Sequence, residues 1–204
     1  AGGSGRTDAA SGVYIGSYAG QQSNAAGTVA IGHNAGYYTE GEYNVYIGYG
    51  AGVSDATTST SEHNVGIGRS ALNDISTGDN NVAIGYHAGL INSTGTGNVF
   101  LGHLAGSDAT ATDSNKLFIA NAAGTPLIAG DFSAGSVAIQ GTLDTSGLIN
   151  AAAGISVDGA TATLTAGMTM GSHAMTDILI SSDSYPGSAQ DGYLVSAGYV
   201  NAVS

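Results

Sequence analysis

The side chains with chemical capacity are few, and their spacing decides what they could do. Five histidines, His33, His63, His87, His103 and His173, contain no pair two or four residues apart, the spacing that puts two imidazoles on one strand or helix face for a metal. A threefold axis would be needed to bring three copies of one of them together. With no cysteine there is no thiolate chemistry and no disulfide framework. Glycan cleavage wants two carboxylates across a cleft; Asp131 and Asp144 can be nominated, but nothing in their spacing supports the pair. The loops 74–79 and 108–113 combine Asp with Ser, Thr or Asn, yet lack the terminal bidentate Glu of a calcium loop, so weak structural calcium is the one ion left open. Gly-x-Gly patterns are abundant only because so many short segments end in Gly, and no Ser stands in a nucleophile-elbow context. No catalytic residue, no resident metal and no organic cofactor are expected.

The elements that would position any such residue are repeats. Asn81-Val82-Ala83-Ile84-Gly85-Tyr86-His87-Ala88-Gly89 states the frame. It returns at Val13-Tyr14-Ile15-Gly16, Val29-Ala30-Ile31-Gly32, Val45-Tyr46-Ile47-Gly48, Val65-Gly66-Ile67-Gly68 and Val99-Phe100-Leu101-Gly102, with a degenerate copy at Leu117-Phe118-Ile119-Ala120. First positions lie 16, 16, 20, 17, 17 and 18 residues apart. Recurrence of a strand-like word at such a period predicts a solenoid.

Alternation along Val-x-Ile puts the first and third side chains on one face of a strand, and both residue types favour the pleated conformation. On hydrophobicity, the predicted core is therefore Val13 and Ile15, Val29 and Ile31, Val45 and Ile47, Val65 and Ile67, Val82 and Ile84, Val99 and Leu101. Gly ends each strand, and Ala-Gly supplies a second tiny strand before a polar loop. One rung cannot offset an ordering cost of roughly 1–2 kcal/mol per residue, so rungs must stack. Asn44, Asn64, Asn81 and Asn98 precede four of the strands, where Asn suits a left-handed position and stacked copies could bond as a ladder.

Composition agrees with a thin, backbone-dominated fibre: 34 glycines, no Trp and 9% charged residues. Fifteen acidic side chains against three basic ones, Arg6, Arg69 and Lys116, give a net charge of −12, which repels nucleic acid and anionic lipid. No apolar run approaches the roughly 20 residues of a membrane span, and the chain reads as soluble. Residues 1–12 read as a flexible lead-in and 13–124 as the solenoid, about seven short rungs with length variation confined to loops. From Lys116 three strand candidates, 117–119, 126–132 and 136–143, with turn residues between them, suggest a broader cap; 125–143 is the β transition module and 144–204 a small C-terminal shaft segment.

The frame at 81–89 and its relatives across 13–106 resemble the head repeats of trimeric autotransporter adhesins, which are parallel β-rolls assembled as trimers. The run Met168-Thr169-Met170-Gly171-Ser172-His173-Ala174-Met175-Thr176-Asp177-Ile178, followed by Pro186 and by Ala197-Gly198-Tyr199-Val200-Asn201, is similar to shaft segments of bacteriophage tail fibres, with Asn201 where Asp is usual there. The block 115–143 looks like a module that follows such repeats in phage fibres and bacterial surface proteins. The resemblances imply an all-β parallel β-roll in a homotrimeric fibre. They further imply a place in a virion tail fibre beside other fibre or tail proteins, or alternatively on a bacterial cell surface, with attachment to a host glycan or protein as the role. A tail-associated glycan hydrolase is the enzymatic alternative.

Recognition is then expected on the outside. The residue after the frame Gly reads Ser17, His33, Tyr49, Arg69, Tyr86, His103 and, in the degenerate copy, Asn121, one per rung, a row that would either stack on sugar rings or pack against a neighbouring subunit. Tyr37, Tyr38 and Tyr43, with Glu40 and Glu42, form a second candidate, an adhesive loop. The receptor-contact candidates are thus Tyr37, Tyr38, Tyr43, His33, Tyr49, Tyr86 and His103.

Overall fold

A computed structural model describes residues 11–146 except residue 24 and residues 55–58. Chain contacts divide the protein into Ala1–Leu148 and Ile149–Ser204, and all described residues belong to the first unit. The shaft expectation for 147–204 and residues 1–10 of the lead-in lie outside the described residues.

The described chain is all β. Each Val-x-Ile word is a three-residue strand: β1 (Val13–Ile15), β2 (Val29–Ile31), β3 (Val45–Ile47), β4 (Val65–Ile67), β5 (Val82–Ile84) and β6 (Val99–Leu101). β7 (Lys116–Ile119) follows, then β8 (Ile128–Asp131) and β9 (Ser136–Ile139). They form one sheet in chain order. From β1 to β7 every pairing is parallel and in register, Val on Val and Ile on Ile down to Leu117 and Ile119, so seven strands close six turns of a β-solenoid. β7–β8 and β8–β9 are antiparallel. The three strands expected from Lys116 onward are present, and the first of them is the last rung of the solenoid. The Ala-Gly words are turns rather than second strands. They still contribute one bond per turn, such as Gly36 N–H to the Ala51 carbonyl at 2.9 Å and Gly52 N–H to the Ala71 carbonyl at 2.9 Å.

The predicted core faces the other way. Alternation holds, but its phase is opposite: Ala30, Tyr46, Ala83 and Phe100, the middle residues, are fully buried. Val13, Ile15, Val29, Ile31, Val45, Ile47, Val65, Ile67, Val82, Ile84, Val99 and Leu101 lie half-buried or exposed on the outer face of the sheet, with Ile15 57% and Ile84 42% accessible in the single chain. The buried asparagines set this phase. Asn44, Asn64, Asn81 and Asn98 stand one residue before the Val, so inward Asn means outward Val and Ile.

That ladder is continuous. The Oδ1 atoms of Asn44, Asn64, Asn81 and Asn98 accept the backbone N–H of Asn64, Asn81, Asn98 and Lys116 at 2.8–2.9 Å. Their side-chain amides donate to the carbonyls of Ser61, Gly78, Gly95 and Asp113 at 2.6–2.8 Å. A fully partnered buried amide avoids the penalty of an orphaned one. The left-handed residue is not the ladder Asn but the one before it, Tyr43, His63, Asn80 or Gly97, and Asn115 is the left-handed residue before Lys116 on the last rung.

The interior is filled by complementary sizes. Tyr46 stacks between Ala30 and Gly66, and the space over Gly66 is taken by the Tyr46 ring and Leu72, whose Cβ would be 3.6 Å from a Cβ at Gly66. Leu72 is the residue that breaks the Ala-Gly word, and it is wholly buried. Phe100 follows Ala83 and stacks on Phe118 with centroids 5.7 Å apart. The frame glycines form a column of close backbone approach: a Cβ on Gly85, where φ is 140°, would lie 2.4 Å from the Gly102 carbonyl oxygen.

Candidate recognition surface

The row after the frame Gly is a physical column. At each corner the backbone carbonyl of the row residue is held by the next rung: Gly50 N–H donates to the His33 carbonyl at 2.9 Å, Ser70 N–H to Tyr49 at 2.9 Å, His87 N–H to Arg69 at 3.0 Å and Leu104 N–H to Tyr86 at 2.9 Å. In-register strands repeat at roughly 4.8 Å, close to the spacing at which aromatic rings stack. The side chains follow. His33 stacks on Tyr49, centroids 5.1 Å apart and planes 6° apart, with Tyr18 edge-on to His33 at 5.6 Å. The Arg69 guanidinium carbon lies 5.6 Å from the ring centres of both Tyr49 and Tyr86. Tyr86 continues to His103 at 5.3 Å. All of His33, Tyr49, Arg69, Tyr86 and His103 are exposed.

Two consequences follow for chemistry. His33 and Tyr49 turn their faces to each other, and Tyr49 and Tyr86 turn theirs to Arg69, so hydroxyl, imidazole and guanidinium groups, rather than open ring faces, are what this part of the column can offer a ligand. His87, outside the row, packs on Tyr86 at 3.8 Å. Partial burial first, then the Arg69 and His103 charges, hold its pKa below the usual histidine value. Sequence reasoning placed Arg69 in the row without a role and missed His87; the signal for both was their place one and two residues after a frame Gly.

The tyrosine loop does not form one patch. Tyr37 and Tyr38 pack edge-to-face at 4.4 Å, and hydrogen bonding to Tyr38, then burial, raises the Tyr37 pKa. Tyr43 turns to a different column, lying against Gly27 of the preceding turn and stacked on His63 at 5.3 Å. The intervening residues explain the split, because Thr39 is buried and bridges to Ser59 as part of the turn's own ladder.

Asp79, Asp113 and Asp131 are held by hydrogen bonds of the fold itself. Asp131, opposite Lys116 across β7 and β8, pairs with its ammonium at 2.5 Å and also accepts the N–H groups of Ser133 and Ala134, which together lower its pKa. That is a hairpin clasp. In the two acidic loops, Asp79 accepts the Glu62 N–H at 2.8 Å and Asp113 accepts the Thr110 N–H at 2.7 Å. Among the described residues no three His, Asp or Glu side chains cluster as a metal site. Compared with known proteins, the chain matches no family model, no curated protein and no solved structure.

Proposed function

We propose that this chain is a structural and receptor-binding segment of a homotrimeric fibre, of the kind carried by phage tails, which touches a host surface glycan or protein without catalysis. The observation that carries the reading is the outer face of the sheet: two parallel columns, Val and Ile, six rungs long, left without partners in the single chain. Unbroken apolar strips of that kind mark surfaces covered by another molecule. A second and third copy of the same chain present the same strip at the same spacing, so three strips can meet in register around a threefold axis, each covered by the other two. The aromatic column stands two residues beyond the Ile column on each rung, at the margin of that face, where it can meet a receptor. The C-terminal likeness to phage shafts favours a tail fibre over a bacterial adhesin head.

Light scattering on the purified protein is the direct test, with three times the 19.9 kDa chain mass expected. A stable folded monomer would remove the trimer. Attachment to host cells by the soluble trimer supports the receptor-binding role, and release of reducing sugar from host polysaccharide would overturn the non-enzymatic one.

A further inference from the structure

We infer that Arg69, held between Tyr49 and Tyr86, is the anchor for the carboxylate of an acidic sugar, with the hydroxyl and imidazole groups of the neighbouring rungs taking the adjoining neutral residues of the same glycan. The inference rests on the receptor-binding reading above and gives it a ligand class. Of the basic side chains among the described residues, Lys116 is committed to Asp131, while Arg69 has no carboxylate partner and no side-chain hydrogen bond within the described residues. A guanidinium with its N–H donors unspent, in an exposed row, fits a planar carboxylate in a two-bond fork. The rings on either side hold it in place at 5.6 Å each, so little side-chain freedom remains to be lost on binding.

Charge decides how acidic the ligand can be. The chain carries −12 with a single unpaired cation on this column, so a polymer with a carboxylate on every residue would be repelled along most of its length. One acidic sugar flanked by neutral ones meets Arg69 and then polar groups, Tyr49 and His33 on one side, Tyr86 and His103 on the other. Successive rungs repeat at roughly 4.8 Å, about the length of one pyranose unit, so neighbouring sugars fall opposite neighbouring rungs.

The test is a ligand-observed NMR titration of the full-length chain with sialyllactose, a glucuronic-acid-capped disaccharide, polysialic acid and lactose. Either acid-capped oligosaccharide should bind about ten-fold or more tightly than lactose, as a charge-assisted fork implies, and which of the two does so identifies the sugar acid. Polysialic acid should bind no better per residue than the capped oligosaccharide. Arg69→Gln should erase the preference without moving the melting temperature, and Arg69→Lys should keep part of it. Equal binding of lactose and both acids, no binding of any, a preference that survives Arg69→Gln, or tightest binding by polysialic acid would each overturn the inference. Host-cell attachment measured in parallel separates the two levels: attachment that persists through those results leaves the receptor-binding reading standing, and absent attachment removes both.

Discussion

Asn64 accepts two hydrogen bonds from Asn81, one from the backbone N–H at 2.9 Å and one from the side-chain amide at 3.1 Å, and passes its own amide to the Gly78 carbonyl at 2.8 Å. Every one of these atoms is shut away from water. Asn64→Ala would orphan the Asn81 N–H and the Gly78 carbonyl, each at roughly 1–3 kcal/mol. A loss of about 3 kcal/mol is expected in denaturant unfolding. Asn64→Asp should be worse despite its shape, because it sets a buried carboxylate against a carbonyl.

Tyr46 tests the interior differently. Its hydroxyl is buried without a hydrogen bond, since Ser61 and Asn64, although near enough to pull the pKa partway down, are engaged elsewhere. Phe100 occupies the same position three turns on. Tyr46→Phe should therefore leave the melting temperature unchanged or raise it, whereas Tyr46→Ala should cost about 3–5 kcal/mol.

The same phenol has a pH signature. Burial pushes its pKa from 10.0 up to about 12, so the folded state resists losing the proton. A raised folded pKa means that stability is intact below pH 10 and falls as pH rises toward 12, by about 3 kcal/mol at most for a shift of this size. Alkaline melting curves of Tyr46→Phe should lack that share of the loss.

Adjacent residues on β5 separate folding from assembly. Ala83→Leu crowds the space beside Phe100 and should destabilise the turn by about 1–3 kcal/mol. Ile84→Asp puts a charge on the outer face and should leave the circular dichroism of the chain intact while light scattering falls from trimer to monomer mass. Loss of folded signal in Ile84→Asp with a normal Ala83→Leu would restore the inward Ile.

A last substitution pair concerns the corners. Gly85→Ala drives a Cβ against the Gly102 carbonyl, but Gly135, also left-handed at 62°, has nothing within 4 Å. Gly135→Ala should cost only the roughly 1–2 kcal/mol of the backbone conformation. Gly85→Ala should cost clearly more in the same melting experiment.

The solenoid, its period, its strands and its asparagine ladder were legible because each repeats the same residue types at the same offsets. The strand face was not, because Val and Ile outrank Ala on any hydrophobic scale. What betrays the true phase is size: Ala30, Gly66 and Ala83 tolerate nothing larger unless a neighbour gives way, as Gly66 does for Tyr46. The column through Arg69 was visible as a row, but its stacking depended on exact register between rungs. The three tyrosines of residues 37–43 misled for the opposite reason, since sequence proximity concealed that buried Thr39 parts them.

In-register pairing through β1–β7 also bears on how the chain folds. Every bonded rung pair is separated by 16 to 20 residues, and loop-closure entropy grows only with the logarithm of length, so the dearest closure exceeds the cheapest by about 0.2 kcal/mol. Chain entropy therefore favours no rung as the starting point. The first stacked pair is the slow event, and each later turn adds to an existing edge at nearly constant cost, so folding spreads along the solenoid like a zipper that can begin at any tooth.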